Sequence, residues 1–237
     1  MAHLNSNICL VGIHHAPLQV SRDEFKAGLE SMLSKSLEMP VMKENTLGCG
    51  LIVSNSRLDH TNKAAGVRPP HVTAVITADY ETRAQLIAVR EYPATKAWAE
   101  SPELNDRAAS LFAAERKVFI NKPGIPENRV HGIAILPVPE GGSPAAFAEK
   151  AENIIRRAQE LPCVQKGVLR LTLFSQDGTI SNRTNTARHT FIFDAEYENS
   201  NTHKEVVDHP DFAEIHEMMK DYDTPSFFGA DPTIRKI

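Results

Sequence analysis

The sequence predicts an α+β fold made of two tandem βαββα units. Three observations carry this prediction: short blocks recur in the same order in both halves, apolar residues fall at helical spacing, and β-rich runs stand at matching places. The 237 residues suit either one large domain or two small ones. The recurrence favours two units, residues 1–122 and residues 123–237.

Near the start of each half, matching residues are separated by 122 positions in the chain. Two prolines, a serine and a phenylalanine keep their spacing in both halves: Pro17, Ser21, Phe25 and Pro40, then Pro139, Ser143, Phe147 and Pro162. The offset then falls to 117, as a small deletion would cause, where residues 78–81 match residues 195–198. It falls to 116 where residues 110–115 match residues 226–231. Chance similarity between Ala- and Glu-rich helices does not easily explain the paired prolines.

Each unit opens with a β-rich run, residues 8–15 and residues 130–136, followed by a helix. Ser21 with Glu24 three residues later is a capping box, and Pro144 after Ser143 suits the first helical position. The apolar residues that follow recur at i, i+4, i+7 and i+8, which is one face of a helix. A proline then predicts where each helix stops, because it has no N–H to continue it.

Two further strands follow in each unit, residues 46–54 with 71–80 and residues 168–175 with 189–197. Polar loops separate them, at residues 55–70 and 176–188. The second helical region contains Pro93 or Pro210, and we expect each proline to start a new helix. A last short strand, residues 117–120, closes the first unit.

This order of elements is the ferredoxin-like arrangement. Its sheet has a second apolar face that needs a partner, so we expect the two units to pack sheet to sheet as a barrel with the helices outside.

Composition excludes several classes of protein. The 26 Lys and Arg against 30 Asp and Glu give no reason to expect broad nucleic-acid binding. No run approaches the roughly 18 apolar residues of a membrane helix, and the first residues lack the features of a signal peptide. Cys9, Cys49 and Cys163 are too scattered for a disulfide framework or a CxxC zinc site. We therefore expect a cytoplasmic protein, with neither nucleic acid nor membrane as a partner.

The unit length of about 110 residues, the Ala-Asp/Glu-Tyr-Glu strand ends, the Asp208-His209-Pro210 step and the closing residues 226–231 resemble the dimeric α+β barrel superfamily. Within it the chain is most similar to EthD-like and stress-responsive A/B-barrel proteins, over nearly its whole length. The resemblance implies that a pairing usually made by two chains is made within one, as an intramolecular barrel. Further association into a homodimer of such chains is left open.

The resemblance also implies a pocket between sheet and helices in each unit. The superfamily includes decarboxylases, dehydratases, cyclases, lactone isomerases, cofactor-free monooxygenases and heme enzymes. Fold alone therefore does not choose the reaction, and the residues must do so.

Histidines at the end of the first strand are candidate catalytic residues. His14 and His15 stand where the second unit has Leu136 and Pro137. Because neighbouring strand residues point to opposite faces, at most one of the two enters a given pocket. Imidazole suits proton transfer near pH 7. The alternative is one solvent-facing histidine and one hydrogen-bonded at the rim.

Three more residues complete the catalytic set. Tyr80 and Tyr197 stand at matched strand ends, each beside a carboxylate. In a catalytic role, the hydroxyl would polarise a substrate carbonyl. In a structural role, the ring would pack and the hydroxyl would bond to the backbone. His209 precedes Pro210, and a helix N-terminus there lowers the pKa of an imidazole and favours the neutral base. The alternative for His209 is a surface helix cap.

Candidate substrate-binding residues come from the same comparison of halves. Tyr92 is the counterpart of His209, and His131 is the counterpart of Cys9. Trp98, the single tryptophan, is expected in the core or as a lid over the pocket. His209 and His216 are seven residues apart, whereas a zinc pair prefers a spacing of three or four, so no metal site is predicted.

The favoured function is a small-molecule lyase, cyclase or isomerase of secondary metabolism that uses His and Tyr acid–base chemistry without a cofactor. It would decarboxylate, dehydrate or cyclise a carboxylated aromatic or polyketide-like substrate. One alternative is a heme-dependent or cofactor-free monooxygenase. Another is a non-enzymatic stress-responsive binding module. The sequence leaves open which unit holds the active pocket.

Overall fold

The computed structural model describes residues 7–56, 72–99, 110–124, 129–178, 180, 188–223 and 225–235. Most of the two predicted polar loops, residues 55–70 and 176–188, lies outside the described residues. The side chain of Trp98 lies outside them too, although its backbone belongs to a described helix.

Eight antiparallel strands form one closed barrel, in the order β1-β3-β2-β8-β5-β7-β6-β4. The strands are β1 (Asn7–His15), β2 (Gly48–Asn55), β3 (Thr73–Tyr80), β4 (Ser110–Asn121), β5 (Val130–Pro137), β6 (Val168–Gln176), β7 (Thr190–Tyr197) and β8 (Ser226–Arg235). This barrel and the helices around it confirm the predicted α+β class.

The helices lie between these strands in the chain and pack on the outside of the barrel. They are α1 (Arg22–Leu37), α2 (Pro40–Asn45), α3 (Arg83–Glu91), α4 (Pro93–Ala99), α5 (Pro144–Glu160), α6 (Pro162–Gly167), α7 (Ser200–Val207), a 3-10 turn (Pro210–Phe212) and α8 (Ala213–Met219). None of the helices described has the length and apolar character that crossing a bilayer requires.

The halves of the chain meet edge to edge. β2 pairs with β8 and β4 pairs with β6, so hydrogen bonds run without a break around the barrel. The sheets predicted to pack face to face are therefore continuous with each other, and no described strand is left with an open edge.

Local sequence signals account for the helix boundaries. Ser21 and Glu24 form the predicted capping box at the start of α1, and the Ser143 hydroxyl caps α5. Pro40 and Pro162 do more than end the long helices, because each begins a further short helix. A proline is tolerated at the first helical position, whose N–H has no partner in the helix.

The later prolines behave as predicted, since Pro93 begins α4 and Pro210 begins the 3-10 turn. The strand predicted at residues 117–120 is much longer, because β4 already begins at Ser110.

Strand alternation divides the buried side chains into three layers. Alternate residues such as Val11, Ile133 and Ile192 fill the interior of the barrel. The opposite strand faces pack against helices, around Leu29 and Leu86 in the first half and around Ile154 and Phe193 in the second. The candidate site lies in the second of these sheet–helix layers.

We expect Ile192→Ala, inside the barrel, to lower the free energy of unfolding by about 2–5 kcal/mol, because Ile192 is fully buried and its removal leaves a void. Leu18→Ala is the control, since Leu18 is 84% exposed, and it should change stability by less than about 0.5 kcal/mol. Urea titration measures both. Equal effects would contradict a barrel interior packed in this way.

Candidate active site

A cavity of about 90 Å³ lies between the sheet of the second half and its helices, and is called the second-half cavity below. Strands β5 to β8 form its floor, and α5, α7 and α8 form most of its roof. Its walls are mostly apolar, with Phe193, Ile215 and Met219 among them. The polar groups that reach it are few: Tyr197, His203 and His216.

His203 reaches the cavity because residue 132 has no side chain. A β-carbon added at Gly132 would lie 2.7 Å from Nε2 of His203 and 3.1 Å from the ring of Tyr197. Real β-carbons do not approach other atoms so closely. Gly132 therefore allows the imidazole to lie directly on the backbone of β5.

His203 is held in its neutral form. Its ring stacks on Tyr197 with centroids 4.4 Å apart and planes 14° from parallel. Burial, together with the nearby charge of His131, lowers the pKa of His203 to about 3. At neutral pH this imidazole offers one hydrogen-bond donor and one acceptor. It is a weak proton acceptor but a good hydrogen-bonding group.

His216 is the second imidazole of the cavity and is less deeply buried. It meets Phe212 and Phe227 edge to face, at centroid distances of 5.1 Å and 5.9 Å. Burial lowers its pKa, while the carboxylate of Asp208 acts in the opposite direction. His216 is thus a neutral imidazole near pH 7, which is the form that accepts a proton.

A buried ion-pair network occupies the barrel interior on the other face of β5. Nδ1 of His131 donates to Oδ1 of Asp194 at 2.7 Å. Glu196 lies 2.5 Å from Nε of Arg129 and 3.2 Å from a guanidinium nitrogen of Arg170. Burial alone lowers the pKa of His131, but the attraction of Asp194 and Glu196 prevails and raises it.

The same network contains the one group of potential metal ligands found among the described residues. The ligand atoms of His131, Asp194 and Glu196 lie within 4.8 Å of one another. Two guanidinium groups already neutralise Glu196, so a further cation would be repelled. The cluster is better suited to an internal salt bridge than to a metal ion.

The residues predicted from sequence to be catalytic do not gather at one place. Tyr197 lines the second-half cavity, whereas Tyr80 is packed in the sheet–helix layer of the first half. His14 is buried on the helix side of β1, and His15 is exposed, with Nδ1 3.0 Å from the hydroxyl of Thr73. His209 is also exposed, and its Nδ1 accepts a hydrogen bond from the backbone of Asp211 at 3.3 Å.

The predicted substrate-binding residues are also dispersed. Tyr92 is 37% exposed at the end of α3, and His131 belongs to the barrel interior. The side chain of Trp98 lies outside the described residues.

The two cavity histidines, His203 and His216, were not singled out from the sequence. The comparison of halves holds a signal for His203, since it follows Tyr197 by six residues as Leu86 follows Tyr80.

Comparison with known proteins identifies the fold. No protein-family model matches the chain, and no curated protein matches its sequence. An anthrone oxidase-like protein superposes with a TM-score of 0.69 at 8% identity, over 100% of this chain and 95% of that chain. A candidate monooxygenase from Fusobacterium nucleatum subsp. nucleatum gives 0.55 at 14% identity, over 98% of this chain and 95% of its own.

A candidate monooxygenase from Lactobacillus acidophilus gives a TM-score of 0.53 at 10% identity, over 98% of this chain and 97% of its own. At such identities the likeness shows the fold alone, a closed antiparallel barrel with helices packed on its outside. The closer resemblance to EthD-like proteins finds no family-level support, so it stays a prediction.

The low pKa of His203 predicts a pH dependence of stability. Its pKa is near 6.5 when unfolded and about 3 when folded, so the unfolded chain binds the proton first as pH falls. We expect His203→Leu to gain stability relative to wild type by up to about 1.4 kcal/mol per pH unit as pH falls from about 6.5 towards 4. Urea titration at several pH values gives this difference.

Lys204→Ala is the matched control, because Lys204 is the exposed neighbour of His203 on α7. Its stability difference from wild type should be constant with pH. A His203→Leu difference that is equally constant would show that His203 is not buried as a neutral imidazole.

Proposed function

We propose that the protein is a small-molecule enzyme of the oxygenase type that works without heme, and that its reaction takes place in the second-half cavity. The observation that carries the proposal is an apolar cavity whose polar groups include two neutral imidazoles, His203 and His216. Structural neighbours named as monooxygenases and as an anthrone oxidase-like protein support an oxygenase over a lyase.

The chemistry fits a substrate that is itself oxidised by O₂. His216 takes a proton from an acidic O–H or C–H, which leaves an electron-rich carbanion or its conjugated equivalent. A carbon of this anion bonds to O₂, and the imidazolium returns its proton to the resulting peroxide. Loss of water leaves a carbonyl, so that one CH₂ or its equivalent and one O₂ give one C=O and one H₂O. The apolar walls keep bulk water from the anion.

Heme does not fit the cavity. Ligand pockets for molecules of drug size are about 300–1,000 Å³, whereas this cavity has about 90 Å³. His203 also lies against the backbone of β5 rather than across an open space. We therefore derive no step that involves heme, and a heme titration should show no stoichiometric Soret band.

A carboxylated substrate, as the lyase prediction requires, has less support. None of the described residues that line the cavity is Lys or Arg. A carboxylate bound there would be buried without a cation, which costs several kcal/mol.

We also infer that the barrel consists of two copies of one unit, residues 1–122 and 123–237. The halves contribute strands in the orders β4-β1-β3-β2 and β8-β5-β7-β6. Their strand registers correspond as well, with Ile8 opposite Tyr80 and Val130 opposite Tyr197. These are the offsets of 122 and 117 found in the sequence.

Oxygen consumption tests the proposed function. The purified protein is given a panel of small uncharged phenols and benzylic ketones in an oxygen electrode, and products are identified by mass spectrometry. We expect one O₂ to be consumed per product, and His216→Ala to lower kcat/KM by about 10²–10⁴, the usual contribution of a general base. Lys204→Ala should leave the rate unchanged. Turnover that continues at full rate without O₂ would contradict an oxygenase.

A further inference from the structure

We infer that the second-half cavity binds a small uncharged phenol, one aromatic ring with a free hydroxyl, and that this hydroxyl hydrogen-bonds to His203. The inference deepens the proposed function and rests on it only for what happens to the ligand after binding. Four observations lead to it: an imidazole without a partner, the charge of the walls, the size of the cavity and the contrast with the first half.

The first observation is the unmet hydrogen bonding of His203. Its side chain is only 2% exposed and lines the cavity. Among the described residues the imidazole stacks on Tyr197 but makes no side-chain hydrogen bond. Buried polar groups in proteins are nearly always hydrogen-bonded, and one left without a partner is unfavourable. A ligand that hydrogen-bonds here supplies that partner.

The second observation is the absence of charge at the described cavity wall. Its lining residues include no Asp, Glu, Lys or Arg. A charged ligand would leave water and meet no opposite charge, so an uncharged ligand is favoured. A hydroxyl meets this requirement, since it donates a hydrogen bond to the acceptor nitrogen of a neutral imidazole.

The third observation concerns size and wall chemistry. An apolar cavity of roughly 150 Å³ binds benzene, so this cavity of about 90 Å³ holds at most one ring, and its walls must move apart to admit it. Phe193, Phe212 and Phe227 line it, and aromatic rings pack well against one another edge to face or offset. A single aromatic ring therefore suits the walls better than a flexible chain.

The fourth observation is that large apolar side chains occupy the corresponding positions of the first half. Leu10 lies opposite Ala78 in β3, as Gly132 lies opposite Ala195 in β7. Leu86, fully buried, takes the place that His203 takes in the second half. Where the first half has two leucines, the second half has a glycine and a histidine, so an imidazole lies against the strand and places a polar group in the cavity wall.

Isothermal titration under nitrogen tests the inference, with phenol, benzene and benzoate as probes. We expect wild type to bind phenol about tenfold more tightly than benzene, because phenol alone satisfies His203, and to bind benzoate least. His203→Leu, which copies the first half, should weaken phenol binding about tenfold and leave benzene binding unchanged. Lys204→Ala should bind all three as wild type does.

A second variant guards against a folding defect in His203→Leu. Gly132→Ala keeps the imidazole but places a β-carbon against it, and should weaken phenol binding as well. Equal affinity of wild type for phenol and benzene, or tighter binding of benzoate, would overturn the inference without any variant.

Failure of phenol binding through His203 and failure of the proposed oxygenase activity give different experimental results. Phenol that binds through His203 but is never oxidised overturns the oxygenase and leaves the binding site standing. Oxidation of substrates together with unaltered phenol binding in folded His203→Leu overturns the role of His203 and leaves the oxygenase standing.

Discussion

The candidate site depends on the contact between His203 and the backbone of Gly132. A side chain at residue 132 would occupy the space that the imidazole now fills. With that space available, the ring stacks on Tyr197 and forms part of the cavity wall. Burial then holds the imidazole neutral, which fixes the kind of ligand it can bind. The absence of a β-carbon at residue 132 therefore allows the imidazole of His203 to form part of the cavity wall.

The two faces of β5 carry different chemistry because neighbouring residues of a strand alternate. His131 points into the barrel and pairs with Asp194, while the next residue, Gly132, supports His203 on the helix side. The positive charge favoured on His131 helps to keep His203 neutral across the strand. The corresponding first-half residue is Cys9, whose thiol has its pKa raised by burial and carries no such charge. In the second half, a buried ion pair thus lies on the barrel side of β5 and the second-half cavity lies on its helix side.

Much of the fold follows from short-range sequence signals. The capping box at Ser21 and the prolines at residues 93 and 210 predict helix starts, and the β-rich runs predict most of the strands. The sequence predicts β4 at residues 117–120 only, because Ala113, Ala114 and Glu115 favour a helix over a strand. The edge-to-edge joining of the halves depends on pairings such as Val53 with Asp231, which are far apart in sequence.

The site was less predictable than the fold. Asymmetry between the halves favours His14, His15 and His209, but His15 and His209 are exposed and His14 is buried in the first half, away from the cavity. His203 resembles a surface residue of a short polar helix, and its role depends on Gly132, about 70 residues earlier. The pairing of His203 with Gly132 is seen only in the folded structure, where the helix lies on the strand. In the sequence it would show only if both residues were compared together with their first-half counterparts, Leu86 and Leu10.

A crystal structure of the protein grown with phenol tests the central claim most directly. We predict electron density for one ring between Phe193 and Ile215, with the phenol oxygen within hydrogen-bond distance of a ring nitrogen of His203. The first-half layer around Leu86 should remain closed. Phenol bound in the first half or in the barrel interior, or bound in the second half with its hydroxyl turned away from His203, would contradict the claim.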